Sequence, residues 1–364
     1  MRGENLDKRW LASADSGLFV EIRKLVLGVV AAVLIAGCAP SDGDRSVPEG
    51  ITVDLMLKTT PVKDQGQSEL CWAYAMLATI EADRLMVGDS VNLSADYLAR
   101  VLMEQQVRAA YLTQGRTRIT TRGTVPLALR LASGHGLTHY DAYHPGPDTP
   151  VLCRMLRRAV EVAVAKRSGL EQLSQTAGRL LDEAMRPLPG RVYMYGAEYT
   201  PQEFARSVDI DDYVAMTSFT HHPFGEAFAL EIADNYSGET FLNVPIDSLQ
   251  ATIDRALDAG HAVCWEGDTS EPGFSVADGL AVLQGHAALQ TPTQEMRQRD
   301  FERLQTTDDH CMTIVGRAHD SAGTHYYICK NSWGTAGPWG GFIYMSAAYL
   351  RLKTIAIVVK VTQE

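Results

Sequence analysis

Pro61-Val-Lys-Asp-Gln-Gly-Gln-Ser-Glu-Leu-Cys71-Trp-Ala-Tyr-Ala-Met-Leu-Ala-Thr-Ile80 is the stretch on which the reading of this chain turns. A polar, glycine-containing loop runs into a thiol, and the thiol opens a strongly apolar helical segment. The first turn of a helix leaves backbone N–H groups unpaired, and their partial positive charge favours a thiolate over a thiol. Gln65 stands six residues before Cys71, where a side-chain amide folds back beside the sulfur. A cysteine so placed is either a nucleophile or one more buried apolar side chain. The remainder of the sequence must supply a base to decide between them.

Composition bounds the answer. The chain has 364 residues, 46% hydrophobic and 21% charged, which suits a folded protein with a substantial core. A net charge of −11 without a Lys/Arg-rich run argues against nucleic-acid binding, which needs a basic face against phosphates. Leu25–Cys38 is an apolar run preceded by Arg23 and Lys24 and ending in small residues, too short for a bilayer-spanning helix and suited to a signal-peptide core. Val20-Glu-Ile-Arg-Lys24 would make a normal leading region for it, placing a start near Val20. Ile35-Ala-Gly-Cys38 resembles the lipobox of bacterial lipoproteins. That resemblance implies lipidation of Cys38 and attachment in the bacterial cell envelope, facing the periplasm or exterior. Residues 1–38 are thus read as a lipoprotein-type signal peptide and 39–51 as a tether. Cys153, Cys264, Cys311 and Cys329 match no metal-binding spacing and are read as buried single cysteines, without assignment of a disulfide.

Further along, Val53–Lys58 reads as a strand. Helices are expected after Cys71 to near Gly88, from Asn92 or Ser94, and from Thr124 with Pro126 in its first turn. Thr149–Arg186 reads as one or two helices broken near Gly169. Tyr213–Phe219, Phe241–Val244 and His261–Gly267 read as strands, and Ile246–Ala259 as an amphipathic helix stopped by Gly260. The stretch from Gly267 to Gln298 reads as a long loop. His135, His139 and His144 lie close together, but the intervening glycines argue against a metal-binding helix face. His221 and His222 would point to opposite faces of a strand. No metal or cofactor is expected.

The base comes from the end of the chain. His310–His319 and His325–Trp333 flank Asp320-Ser-Ala-Gly323, a turn composition, and form a hairpin pattern. Its register brings His310 and Asn331 across from each other or one step apart. A cysteine nucleophile needs a base, a group to fix that base, and donors for an oxyanion. His310 takes the proton, Asn331 holds the other ring nitrogen, and Gln65 with the Cys71 backbone N–H serves the oxyanion. Trp333 is placed to cover the His310–Asn331 hydrogen bond.

Gln65, Cys71-Trp72, His310 and Asn331-Ser-Trp-Gly334 together resemble the four catalytic signatures of papain-like cysteine peptidases (clan CA, family C1). Within that clan the resemblance is closest to the bleomycin hydrolase/aminopeptidase C branch. It is carried by Thr217–Phe224, Trp265–Phe274 and the run from Lys330 through Lys353-Thr-Ile-Ala-Ile-Val-Val, and covers roughly residues 52–360. It implies an α+β fold of two lobes, helical and β-rich, with a cleft between them and an insertion over about 135–300. It also implies peptide substrates, aminopeptidase-like hydrolysis through a Cys71 thioester, and site support from Trp72 and Trp333. The related enzymes are often hexameric, so a homo-oligomer is compatible with the resemblance. Ser68-Glu-Leu70 departs from the family's Cys-Gly-Ser, which makes Glu69 and Leu70, with Asp309 beside the base, candidates for lining the substrate cleft. Two other readings use the same residues: a catalytically inactive papain-fold surface lipoprotein acting as a binding module, and a cysteine-dependent acyl or peptidyl transferase.

Overall fold

The computed structural model describes residues 47–285 and 291–361. The lipobox and Cys38 lie outside the described residues. Five helices come first: α1 (Cys71–Met86), α2 (Ala95–Leu112), α3 (Val125–His135), α4 (Thr149–Lys166) and α5 (Leu170–Met185). The later helices are α6 (Pro201–Ser207), α7 (Ile246–Asp258), α8 (Gln294–Glu302) and α9 (Ala347–Lys353). The strands are β1 (Ile51–Met56), β2 (Val192–Met194), β3 (Ala197–Tyr199), β4 (Tyr213–Thr217), β5 (Ala227–Ala229), β6 (Thr240–Asn243), β7 (Val263–Gly267), β8 (Phe274–Ser275), β9 (Leu280–Ala281), β10 (His310–Asp320), β11 (His325–Lys330), β12 (Phe342–Ser346) and β13 (Thr354–Lys360). The result is the α+β architecture, with helices gathered in the first half and strands in the second.

The main sheet runs β5-β6-β4-β13-β7-β10-β11-β12-β9-β8, with β1 added to the outer half of β10. Strand β10 is its hub. The inner half, His310–Ile314, pairs with β7, while residues further along pair with β1 and β11. The β10–β11 register runs Thr313↔Lys330 and Ile314↔Cys329, then shifts at a bulge to Arg317↔Tyr327. A bulge of this kind adds one residue to one strand and bends it.

Several elements differ from the sequence expectation. The long stretch after Gly267 contains β8, β9 and the helix α8, which is capped by Thr293. Its apolar periodicity is weak because Arg297, Gln298 and Asp300 occupy its buried face. By contrast, Thr149–Met185 breaks near Gly169 as expected, into the two helices α4 and α5, with Gly169 at φ 82, a left-handed conformation that glycine adopts at little cost.

Helix α1 is buried on almost every side, including the polar Thr79, Glu81 and Asp83. A buried carboxylate must be paired and hydrogen-bonded. Glu81 Oε2 accepts from Thr60 Oγ1, and Oε1 accepts from Lys63 Nζ and from Leu93 N at 2.6 Å. Lys330 Nζ donates to Thr60 Oγ1 at 2.8 Å, linking the end of β11 to the same group. Thr313 Oγ1 on β10 donates to Ala75 O of α1 at 2.8 Å. The first helix and the hub strand are therefore tied by buried polar contacts as well as by apolar packing.

Removing Glu81 takes the carboxylate from Lys63 and Thr60 and leaves Lys63 with only the Leu93 carbonyl as hydrogen-bond acceptor. Glu81→Ala is expected to lower unfolding free energy by about 3–5 kcal/mol. Denaturant unfolding checks this, and a loss below about 1 kcal/mol would contradict the role given to Glu81.

Candidate active site

Cys71 is the first residue of α1. Leu70, at the N-cap, makes no side-chain cap hydrogen bond. A Ser or Asp at that position would bond the early N–H groups; leucine leaves their partial charge to favour a thiolate. Leu70 itself is fully buried among the apolar side chains of the helical lobe. That corrects its reading as a cleft residue: the side chain at the N-cap turns inward to anchor the loop.

His310 opens β10 opposite Gly267 of β7 and is almost wholly buried. Its Nε2 donates to Asn331 Oδ1 at 2.8 Å, which leaves Nδ1 to exchange a proton. Asn331 is itself fixed, because Oδ1 also accepts from Ser332 N at 2.8 Å and its own N–H donates to Gly341 O at 3.0 Å. Continued from Thr313↔Lys330, the ladder would set His310 opposite Trp333 rather than Asn331. The indole accordingly stacks on the imidazole itself, with centroids 4.2 Å apart and planes at 29°. Phe274 meets Trp333 edge-on.

Gln65 is held from both ends. Its backbone N–H donates to Ser332 O at 2.8 Å, its Oε1 accepts from Ser332 Oγ at 2.7 Å, and Nε2 donates to Ser68 O at 2.8 Å. One amide N–H remains for a substrate oxygen. Trp72 sits elsewhere: it is buried in the helical lobe and donates to Thr121 O at 2.9 Å, pinning the loop before α3. Gly123 in that loop lies so near that a Cβ there would meet Leu127 Cδ2 at 2.5 Å and Trp72 Cε2 at 3.2 Å. Trp72 thus supports the wall of the cleft and touches no oxyanion donor.

The Cys71 thiol is held well below the ordinary thiol range. A hydrogen bond from the Cys311 thiol contributes most, and hydrogen bonding and charge from His310 add to it, against burial, which acts the other way. Cys311 is pushed up by its own burial and by the neighbouring thiolate. Sequence reasoning passed over Cys311 as a buried single cysteine, although its place directly after the base was a usable signal. Cys71, Cys153, Cys264, Cys311 and Cys329 are all free thiols.

Glu69 is exposed and lines a cavity of about 610 Å³ with Arg116, Arg118, Arg154 and Arg157. Asp309 accepts from Thr269 N at 2.8 Å and Thr269 Oγ1 at 2.9 Å, so it braces the loop after β7. Two carboxyls close to the thiol were missed from sequence. Glu266 of β7 and Asp308 are both pushed well up, mainly by burial, and each also feels the other and Cys71.

His221 and His222 do not point apart. Both rings reach Glu231, His221 Nε2 at 3.2 Å and His222 Nε2 at 2.7 Å, because the chain has left β4 and is no longer pleated there. Among the described residues this is the one grouping with metal-ligand spacing. Gln298 Oε1 accepts from Thr220 N, so its Nε2 faces His221 Nδ1 at 3.0 Å as a donor. That places the His221 proton on Nε2, where it donates to Glu231 and leaves no lone pair for a cation. His135, His139 and His144 make separate contacts, with Gln105, Phe204 and Asp96 respectively.

Comparison with known proteins agrees with this geometry. The crystal structure of PepW from Lactobacillus rhamnosis HN001 superposes with a TM-score of 0.66 at 17% identity, over 96% of this chain and 92% of that one. The fold is therefore that of the papain-like cysteine peptidases. Residues 191–363 match the Peptidase C1-like family. Aminopeptidase G from Lactobacillus delbrueckii subsp. lactis is 29% identical over 158 residues, 42% of this chain and 36% of that protein. Fruit bromelain from Ananas comosus is 44% identical over 41 residues, 11% of this chain and 12% of that protein. The matches thus span about a third of the first of these relatives and an eighth of the second. The second half of the chain therefore carries the Peptidase C1-like match, within a fold of papain type.

A lowered thiol pKa keeps the thiolate populated until pH falls through that value. Removing the largest lowering contact must raise it. Cys311→Ala is expected to move the acid limb of Cys71 alkylation to higher pH, while Cys311→Ser, which keeps a donor, restores much of the shift. Alkylation rate against pH checks this; an unmoved limb in Cys311→Ala would contradict it.

Proposed function

We propose that the protein is an aminopeptidase-like cysteine peptidase that hydrolyses peptide bonds through a thioester on Cys71. The observation that carries this reading is the oriented base: His310 Nε2 bonded to Asn331 Oδ1 at 2.8 Å, with Cys71 held below the ordinary thiol range. The thiolate attacks the scissile carbonyl, and its oxygen takes negative charge beside Gln65 and the Cys71 N–H. The imidazolium of His310 gives its proton to the leaving amine, whose departure leaves the acyl group on sulfur. Neutral His310 then takes a proton from water, which attacks the thioester and returns the thiol. Asn331 keeps the ring in one orientation through both halves, and Trp333 shields one face of it.

A digest of a peptide mixture by wild type and by Cys71→Ala tests this. Wild type is expected to cleave and Cys71→Ala to leave the mixture intact, with a thiol-directed epoxide adding to Cys71 in intact-mass measurement. Gln65→Ala is expected to lower kcat by about 10²–10³-fold, the usual contribution of one oxyanion donor. Cleavage that survives Cys71→Ala, or a Gln65→Ala rate equal to wild type, would contradict the assignments.

The same reading puts the protein at a membrane surface through a lipid on Cys38, supported by the Ile35-Ala-Gly-Cys38 motif behind an apolar run. Metabolic labelling with a clickable fatty acid is expected to mark the wild type and not Cys38→Ser. Equal labelling of both would overturn it.

A further inference from the structure

The loop that leads to the nucleophile faces a basic hollow. Glu69, exposed and two residues before Cys71, shares a cavity of about 610 Å³ with Arg116, Arg118, Arg154 and Arg157. Two residues of chain span at most about 7 Å, so the hollow opens beside the backbone that carries the thiol. Its other walls are the segment after α2 and the first turns of α4, both in the helical lobe. Ile119 is buried and anchors that segment, which leaves Arg116 and Arg118 exposed. Arg154 and Arg157 stand three apart on α4 and so share one face of the helix. The wall is held in place: Thr117 N donates to Thr113 Oγ1 at 3.1 Å, Thr120 N to Gln106 Oε1 at 2.8 Å, and Arg157 Nη2 to Ile119 O at 3.3 Å.

The charge in this hollow is unbalanced. Four guanidiniums face one carboxylate, in a chain whose net charge is −11. Among the described residues, Arg118, Arg154 and Glu69 make no hydrogen bond or ion pair. Arg116 Nε donates to Thr113 O at 3.0 Å, and the acid one turn beyond Arg157, Glu161, is paired with Arg158. Like charges on a concave wall focus a positive potential and draw an anion. A guanidinium's planar fork matches a carboxylate in particular. His310 and the Trp333 that covers it come from the β-rich lobe and attend the leaving amine. A hollow built wholly from the helical lobe beside Cys71 therefore falls to the acyl part of a substrate.

We propose that this hollow is an acid-selecting subsite, which takes the carboxylate side chain of the residue whose carbonyl Cys71 attacks, so that Glu or Asp is preferred there. The proposal rests on the peptidase reading above and adds its side-chain selectivity. Arg118 and Arg154, whose donors are unspent, hold the carboxylate, and Arg116 and Arg157 add to the field. Glu69 at the mouth opposes them, being of the same sign as the group that enters.

The test compares kcat/KM on two peptides of one sequence, with Glu or Gln at the residue that contributes the scissile carbonyl. It is run on wild type, on the double variant Arg118→Gln, Arg154→Gln, and on Glu69→Gln. Wild type is expected to prefer the Glu peptide by about 10-fold, between the effect of an exposed ion pair and that of a charged hydrogen bond. Salt at about 0.5 M is expected to shrink the preference by screening. The double variant, at two exposed positions, is expected to lose the preference while cutting the Gln peptide at the wild-type rate; Glu69→Gln is expected to widen it. A wild-type ratio near one, or a ratio that the double variant leaves unmoved, overturns the subsite and leaves peptide hydrolysis standing. If neither peptide is cut and Cys71 resists the epoxide, the peptidase reading falls and the subsite with it.

Discussion

Everything at this site depends on one buried carboxylate, Glu81. It sits on α1, nearly three turns beyond Cys71, and is fully removed from water. A charge in that position is tolerable only if its oxygens are bonded, and the three groups that bond it, with a fourth that bonds one of them, come from parts of the chain the site needs. Thr60 and Lys63 belong to the loop that leads to Gln65, Leu93 starts the approach to α2, and Lys330, reaching Thr60, precedes Asn331. The oxyanion loop, the nucleophile helix and the strand end that orients the base are thereby referred to a single point. The Thr313–Ala75 hydrogen bond sets the remaining relation, between helix and base strand.

That rigidity is what lets weak local effects sum at the sulfur. Each contribution to the Cys71 thiolate is modest alone: helix N–H groups left uncapped by Leu70, a donor thiol at Cys311, a histidine held by Asn331. Buried carboxyls nearby push in the opposite direction, because Glu266 and Asp308 would repel the thiolate if ionised. Burial pushes both carboxyls well up, which disfavours the charged form that would repel the thiolate. The site thus concentrates titratable groups whose environments drive them apart, the pattern expected where proton transfer and charge recognition share one space.

Sequence carried the chemistry further than the geometry. Cys71 before an apolar helix, and His310 with Asn331 flanking a turn, are signals made by short-range rules, so the two arms of the hairpin and their approximate register could be read directly. The bulge near Gly316 could not be, and it moves the position opposite His310 from Gly334, where the outer register would put it, to Trp333. Leu70 looked like a cleft residue because chain position says nothing about which way an N-cap side chain turns. Helix α8 was read as loop because its buried face is polar: Arg297 donates to Ser218 O and Ile355 O instead of packing apolar atoms. The segment 230–239 gave no signal, since the groups that hold it, Arg122, Gln106 and Arg130, all lie more than a hundred residues away along the chain.

The central claim is that Cys71 carries the acyl group during turnover. It is tested most directly by mixing the protein with an activated peptide ester, quenching in acid within the first turnover, and mapping the adduct by intact and peptide mass. The account predicts one added mass equal to the acyl fragment, located on Cys71 and absent from Cys71→Ala. An acyl group found on Cys311 or another residue, or product formed with no adduct on Cys71 at any quench time, would contradict it.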